Sequence, residues 1–293
     1  MAEYTPAKKT GAQNSLVKPC VKWAGGKRQL LPEIRKYLPV STRGITYYEP
    51  FVGGGAVFFD LRPRRAVIND GNAELMLSYR VIRDHVEELI QVLRAHQGEN
   101  SREYYYQIRD MDRNPAVFDR FSDVEKAARL IFLNKTCYNG LYRVNSRGFF
   151  NVPRGRQKNP AICEEAVLRA VHEYLAASDI AIQDGDFEGA VKTAAEHSFV
   201  YFDPPYHSPG KINFTAYQAG GFDDSEQLRL RDVFLSLTKR GVPCLLSNAD
   251  TPFIRALYGD KRLEIITVAA RRAINSNAGG RSNISEVLIK NWK

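Results

Sequence analysis

In Phe199-Val200-Tyr201-Phe202-Asp203-Pro204-Pro205-Tyr206, four strand-forming residues run straight into a carboxylate, two prolines and an aromatic ring. β-Branched and aromatic side chains suit a pleated surface that is covered, so the apolar run is predicted to be a buried strand. Two prolines cannot continue a ladder, and the chain must turn away at the strand's carboxyl end. In open α/β sheets that edge is where ligands sit. Neither Pro204 nor Pro205 has an amide hydrogen, so the turn is expected to present its carbonyls outward beside Asp203 and the Tyr206 ring. Such a cluster can hold an exocyclic amine by its two hydrogens while a planar base stacks on the ring. The competing reading is a tight Pro-Pro turn in which Asp203 caps a following helix.

Strand-like runs recur on both sides of this one, at 46–49, 66–69, 180–183, 244–247, 264–268 and 286–290. Amphipathic segments separate most of them, which predicts an α/β fold with a mainly parallel sheet covered by helices. The middle breaks the alternation. From about residue 74 to 161 helical periodicity dominates, and this stretch reads as a helical insertion in a sheet domain made of 19–73 and 162–293. Within it Ser122-Asp123-Val124-Glu125 forms a capping-box pattern opening a helix through Leu133. Residues 1–18 are polar and basic without periodicity and are expected to be a flexible tail.

The 293 residues carry 42 Lys and Arg against 33 acids, a net charge of +9. That excess favours a polyanionic partner through counterion release. No apolar run approaches the ~18 residues that cross a bilayer, and no signal-peptide apolar region is seen at the N-terminus. Cys20, Cys137, Cys163 and Cys244 are scattered, and the five histidines lack ligand spacing. No metal site is expected, and a reducing cytoplasm fits the cysteine usage.

Three further segments outline a nucleoside pocket. Glu49-Pro50-Phe51-Val52-Gly53-Gly54-Gly55 follows the first strand, and its glycines let the backbone approach a ligand without intruding Cβ atoms. It is neither a Walker loop nor a good Gly-x-Gly-x-x-Gly match. Asp70 ends the second strand ~20 residues later, where a carboxylate can accept from ribose hydroxyls or cap the next helix. Asp186 and Phe187 follow another strand, where Asp186 can accept from an adenine amine and Phe187 can offer an amide or a ring edge. Upstream, Lys22-Trp23-Ala24-Gly25-Gly26-Lys27 brings together an aromatic that can cover a cofactor and a lysine that can meet a carboxylate.

Residues 134–160 hold six cations (Lys135, Arg143, Arg147, Arg154, Arg156, Lys158), no acid, and interleaved rings at Tyr138, Tyr142, Phe149 and Phe150. Tyr138-Asn139-Gly140-Leu141 and Phe150-Asn151-Val152-Pro153 look like strands of a small β-hairpin. A loop of this composition neutralises phosphates, reads bases and wedges into a stack. Arg271, Arg272, Ser276, Asn277 and Arg281 form a weaker second basic cluster.

Together these pieces resemble the Dam family of DNA adenine-N6 methyltransferases. The resemblance is carried, in the family's order, by 22–27, 49–55, Asn69-Asp70, Tyr138-Asn139-Gly140-Leu141-Tyr142-Arg143, Phe150 to Gly155, and Asp203-Pro204-Pro205-Tyr206. Asn213-Phe214-Thr215-Ala216-Tyr217 and Leu246-Ser247-Asn248 also match. It implies a Rossmann-like S-adenosylmethionine-dependent methyltransferase sheet with 74–161 as the inserted target-recognition domain. It further implies methyl transfer to adenine N6 in double-stranded DNA, within GATC, by base flipping. Asp203, Pro204, Pro205 and Tyr206 are the implied catalytic residues. Trp23, Lys27, Phe51, Gly53, Gly55, Asp70, Asp186, Phe187 and Asp203 are the implied cofactor contacts. Lys22, Tyr138, Asn139, Leu141, Arg143, Asn145, Pro153 and Arg156 are the implied DNA contacts. Gln157 stands where some members carry an aromatic. Restriction-modification is one setting for such an enzyme, although the sequence itself names no endonuclease partner. Two rival readings remain: an amine methyltransferase acting on RNA or cytosine N4, and a DNA-binding protein without catalysis.

Overall fold

A computed structural model describes residues 14–27, 30–39, 41–208, 221–270 and 284–292. Most of the expected basic tail, the 213–217 motif and the 271–281 cluster lie outside the described residues. Among those described, seven strands form one sheet: β1 (Thr46–Glu49), β2 (Arg65–Asp70), β3 (Asp179–Asp184), β4 (Ser198–Phe202), β5 (Cys244–Ala249), β6 (Glu264–Ala270) and β7 (Ile284–Lys290). Their order is β3-β2-β1-β4-β5-β7-β6. β1 to β5 run parallel, while β7 is antiparallel to both β5 and β6. The fold is α/β, as the sequence predicts, and each predicted strand appears within a residue or two of its expected bounds.

Alternation along β4 explains its unbroken apolar run. Phe199 and Tyr201 face one core, and Val200 and Phe202 face the other. A strand covered on both sides has no polar face to expose. The chain moves outward from β1 to β2 to β3 and then returns beside β1 as β4, which makes the β1/β4 boundary the topological switch point. A crevice at the carboxyl ends of these two strands follows from that topology.

The helices are α1 (Leu31–Ile34), α2 (Ala56–Leu61), α3 (Ala73–Asp84), α4 (Val86–Gly98), α5 (Arg102–Asp110), α6 (Pro115–Phe118), α7 (Asp123–Thr136), α8 (Glu165–Ala176), α9 (Phe187–Ala190), α10 (Asp224–Lys239) and α11 (Pro252–Leu257). Six of them, α3 to α8, lie between β2 and β3. Ser122 and Glu125 form the expected capping box, and α7 continues to Thr136, one turn past the predicted end. α3 packs against β2 and β3 as well as α7 and α8. Its apolar side chains share one continuous core with the sheet and the inserted helices.

Beyond α7 the chain forms an arch over residues 137–155. Two legs run antiparallel and pair only through isolated bridges, Cys137 with Arg154 and Val144 with Phe150. Tyr138 N donates to Pro153 O at 2.9 Å, and Asn151 N donates to Arg143 O at 3.0 Å. The expected hairpin strands are therefore replaced by a looser arch. Tyr138–Gly140 coils into a 3-10 turn with Asn139 at φ 56°, and Pro153 has no amide hydrogen to extend a ladder.

Arg129 anchors this insert from α7, with 0% of its surface exposed. Its Nη2 lies 2.7 Å from Asp112 Oδ2, and Nη1 is 3.6 Å from Glu74 Oε2. Nε and Nη2 also donate to the carbonyls of Ile108 and Arg109 at 3.0 and 2.8 Å. Asp112 in turn accepts from Phe150 N at 2.8 Å, so one buried cation ties α3, α5, α7 and the arch. Removing it takes the nearest cation from Asp112, which keeps Arg113 at 3.2 Å, and from the partly exposed Glu74, so the cost is expected at the low end for a broken buried pair, about 3 kcal/mol. R129M is expected to lower the unfolding free energy by that amount, read as a lower denaturant midpoint at unchanged slope in equilibrium unfolding, and an unchanged midpoint would show that the anchor contributes nothing.

Candidate active site

The loop after β1 is shaped by its glycines. Gly53 and Gly55 have φ of 49° and 75°, a region disfavoured for residues with a Cβ. A Cβ on Gly53 would lie 2.9 Å from Trp23 Cδ1, and one on Gly55 would lie 2.8 Å from the Tyr79 hydroxyl. The loop is pinned from the next strand: Gly53 N donates to Asp70 Oδ2 at 3.0 Å, and Val52 N donates to Asn69 O at 2.8 Å. The other Asp70 oxygen accepts from Asn72 N at 2.9 Å. Helix α3 is capped by Asn72, not by Asp70. Asn69 Nδ2 donates to Pro50 O and Gly185 O at 3.0 and 3.1 Å, which joins the end of β2 to the loops after β1 and β3. Burial pushes the Asp70 carboxyl up to about 6 against the lowering pull of its two backbone donors.

Phe51 packs with Phe187 and Phe222 at centroid distances of 5.2 and 5.7 Å. Asp186 caps α9 through Glu188 N and pairs with Arg229, whose guanidinium lies 4.3 Å from the Phe187 ring centre. An incoming amine therefore meets Asp186 already engaged on both oxygens.

At the bend after β4, Lys27 Nζ lies 2.8 Å from Asp203 Oδ1, with side-chain exposures of 8% and 16%. Ser247 Oγ donates to the same Oδ1 at 2.7 Å, and the Tyr201 hydroxyl is 3.1 Å from Ser247 Oγ. Both contacts fall on Oδ1, so among the described residues Oδ2 accepts from nothing. Burial raises the Asp203 carboxyl, and Lys27 and Ser247 partly offset that rise. Lys27 Nζ also sits 4.3 Å from the Tyr206 ring centre, and the Tyr206 hydroxyl donates to Glu286 Oε2 at 2.7 Å. The Pro205 carbonyl does not face outward as the sequence predicts, because Gln227 Nε2 donates to it at 2.9 Å. Nor does Asp203 cap a helix: Asp223 fills that role for α10.

The arch stands beside the glycine loop. Trp23 stacks on Tyr142 with centroids 5.3 Å apart, and the Tyr142 hydroxyl shares hydrogen bonds with Asn72 and Glu74. Asn134 receives Lys22 N at 2.8 Å and donates to the Lys22 and Gly140 carbonyls at 2.7 and 3.1 Å. The Lys22 side chain is left exposed beside the arch. Tyr138 is 51% exposed, and Leu141, Arg143, Asn145, Pro153 and Arg156 are exposed with it. Arg143 Nε donates to Asn151 Oδ1 at 2.6 Å. Asn145 is spent on the tip of the arch, where its Oδ1 accepts from Arg147 N and Phe149 N at 3.0 and 3.1 Å.

Motif reading alone leaves Ser247, Gln227, Glu286, Asn134 and Asn69 without roles. One of them had a signal: Gln227 interrupts the apolar stripe Leu230, Phe234, Leu237 on α10, a buried polar residue that demands a partner. Glu49 is also buried at the end of β1, where burial raises its carboxyl well above the usual range and the Tyr47 hydroxyl donates to it at 2.7 Å. Among the described residues no cluster of His, Cys, Asp or Glu suits a metal ion, all four cysteines are free, and no helix is long and apolar enough to cross a membrane.

Residues 23–274 match the family described as D12 class N6 adenine-specific DNA methyltransferase. The type II methyltransferase M1.LlaDCHI of Lactococcus lactis subsp. cremoris is 45% identical, with 94% of this chain and 96% of that protein covered. The type II methyltransferase M.MjaIII of Methanocaldococcus jannaschii is 42% identical over 94% of this chain and 99% of its own length. The DNA adenine methylase of Escherichia coli K12 is 35% identical over 92% and 93%.

A carboxyl that titrates near 6 when folded and near ~3.9 when unfolded holds its proton more tightly in the native state. Its contribution to stability is therefore greatest below about pH 4 and is lost as pH rises toward about 6. The stability difference between the native protein and D70N is expected to fall across that window in denaturant titrations. A pH-independent difference would contradict the burial of this carboxyl.

Proposed function

The chain belongs to the D12 class of N6 adenine-specific DNA methyltransferases, and from that membership we propose that it methylates an adenine flipped out of duplex DNA within GATC. What supports the catalytic part is that, among the described residues, neither Asp203 Oδ2 nor the carbonyl of the buried Pro204 receives a hydrogen bond. Lys27 and Ser247 occupy Oδ1, Gln227 occupies the Pro205 carbonyl, and two adjacent acceptors suit the two hydrogens of one amine.

The adenine N6 lone pair is delocalised into the ring, which makes the amine a poor nucleophile. When Asp203 Oδ2 and Pro204 O draw on its two hydrogens, the nitrogen becomes pyramidal and its lone pair turns out of the ring. Positioning supplies most of the acceleration. A carboxyl raised by burial also suits a group that must take up the surplus amine proton and pass it to solvent. Tyr206, hydroxyl pinned by Glu286 and one face toward Lys27, offers its ring to the flipped base.

S-adenosylmethionine, when bound, supplies the methyl group on a sulfonium sulfur. The residues fit such a nucleoside. Trp23 lies against Gly53 and Gly54, and Asp70 is a half-buried carboxylate whose charged form gains from further hydroxyl donors. Lys27, Phe51, Asp186 and Phe187 complete the proposed lining. Residues 74–161 form the proposed target-recognition part, in which exposed Tyr138 wedges into the gap left by the flipped base. Lys22, Asn139, Leu141, Arg143, Asn145, Pro153 and Arg156 flank it as base and phosphate contacts. The relatives named DNA adenine methylase support adenine as the target base, and the GATC reading rests on the resemblance carried by residues 138–143 and 150–155.

D203A is expected to lose methyl transfer by at least ~100-fold while DNA affinity stays within a few-fold. Unchanged turnover in a radiolabelled-methyl assay would contradict the role of Asp203. R143A is expected to relax one base position by ~1–3 kcal/mol, measured as the ratio of kcat/KM on sites altered at single bases. Equal losses on every sequence would make Arg143 a phosphate contact.

A further inference from the structure

The acceptors that grip the amine depend on where the bend's own backbone points, and neither proline can fix that through an amide hydrogen bond. Two buried amides from other elements do the work. Gln227 on α10 and Asn248 on β5 both have 0% exposure. Gln227 Nε2 donates to Pro205 O at 2.9 Å, and Gln227 Oε1 accepts from Asn248 Nδ2 at 3.0 Å. Asn248 Oδ1 then accepts from His207 N at 3.0 Å and from Ala249 N at 2.8 Å. The two side chains form one relay that holds the carbonyl on one side of Tyr206 and the amide on the other.

We propose that Gln227, braced by Asn248, is a positioning residue of the methyl transfer: it holds the Pro205 carbonyl so that the Pro204 carbonyl and Asp203 Oδ2 remain the acceptors for the target amine. This rests on the catalytic role of the bend proposed above. Asp223 caps α10 by accepting from Ser225 N and Glu226 N at 2.9 and 3.1 Å, which fixes the helical turn that carries Gln227. A fully buried amide is tolerated in an apolar stripe only when its donor and acceptor are both used, and it then fixes what it bonds. One of its partners lies on the bend, and the other, Asn248 of β5, itself accepts from His207 N just after the bend. Gln227 touches neither substrate in this scheme; it acts through the backbone it holds.

Two variants test the proposal, with D203A measured in parallel. Q227M keeps the volume and removes the donor. It is expected to lower the single-turnover rate at saturating DNA and S-adenosylmethionine by ten-fold or more, while KM and calorimetric affinity for each stay within about two-fold. A rate within two-fold of native, or losses of affinity that match the loss of rate, would overturn the proposal. Q227E covers the case in which Q227M does not fold. A neutral Glu can donate to the Pro205 carbonyl and an ionised one cannot, so the Q227E rate relative to native is expected to rise as pH falls from 9 to 6. Asp203 with Lys27, Glu286 beside Tyr206, and His207 with Asp224 surround the bend in both proteins, and the ratio removes their titration. A flat ratio overturns the proposal. Turnover by D203A would overturn the catalytic reading of the bend itself, whatever the Gln227 variants do.

Discussion

Everything at this site depends on a carboxylate tied down by one oxygen. Asp203 Oδ1 takes both Lys27 Nζ and Ser247 Oγ, at 2.8 and 2.7 Å, and among the described residues no hydrogen bond falls on Oδ2. A nearly buried carboxylate without such partners would be driven to protonate. Lys27 and Ser247 offset part of that drive and fix the orientation of Oδ1. Lys27 reaches it from a segment before the first strand and Ser247 from β5, so the site assembles only when the sheet has closed.

The sheet's topology is what brings these partners into range. Return of the chain to β4 beside β1 places the Asp203 bend against the glycine loop, and β5 lies on the other side of β4 to supply Ser247 and Asn248. β7, antiparallel to β5, adds Glu286 beneath the Tyr206 hydroxyl. Three neighbouring strands thus contribute to one bend. The insert is fastened to the same edge by the Trp23–Tyr142 stack and by the contacts of Tyr142 with Asn72 and Glu74. Asn72 also donates its backbone amide to Asp70 at 2.9 Å.

Much of this was legible in the residues. The apolar run of β4 ending in Asp-Pro-Pro-Tyr announces a doubly covered strand and a forced exit, and both features are local. The glycine loop and Asp70 could be placed because they follow strands directly. The hairpin was less legible, since an antiparallel register is a local property while a continuous ladder is not: Asn139 turns to positive φ and Pro153 cannot donate. The supporting polar groups were the least legible. Gln227 meets Pro205 across 22 residues and Glu286 meets Tyr206 across 80, and such pairings exist only after the sheet orders its strands. Outward carbonyls were expected at both prolines, yet the fold spends one of them on its own stability and leaves the other.

A crystal structure with duplex DNA containing the target adenine and an unreactive analogue of the methyl donor is the most direct measurement. The account predicts the extruded amine within hydrogen-bonding distance of both Asp203 Oδ2 and Pro204 O, with Lys27 and Ser247 still on Oδ1. An amine bound elsewhere, or held by Oδ1 after displacement of Lys27, would contradict it.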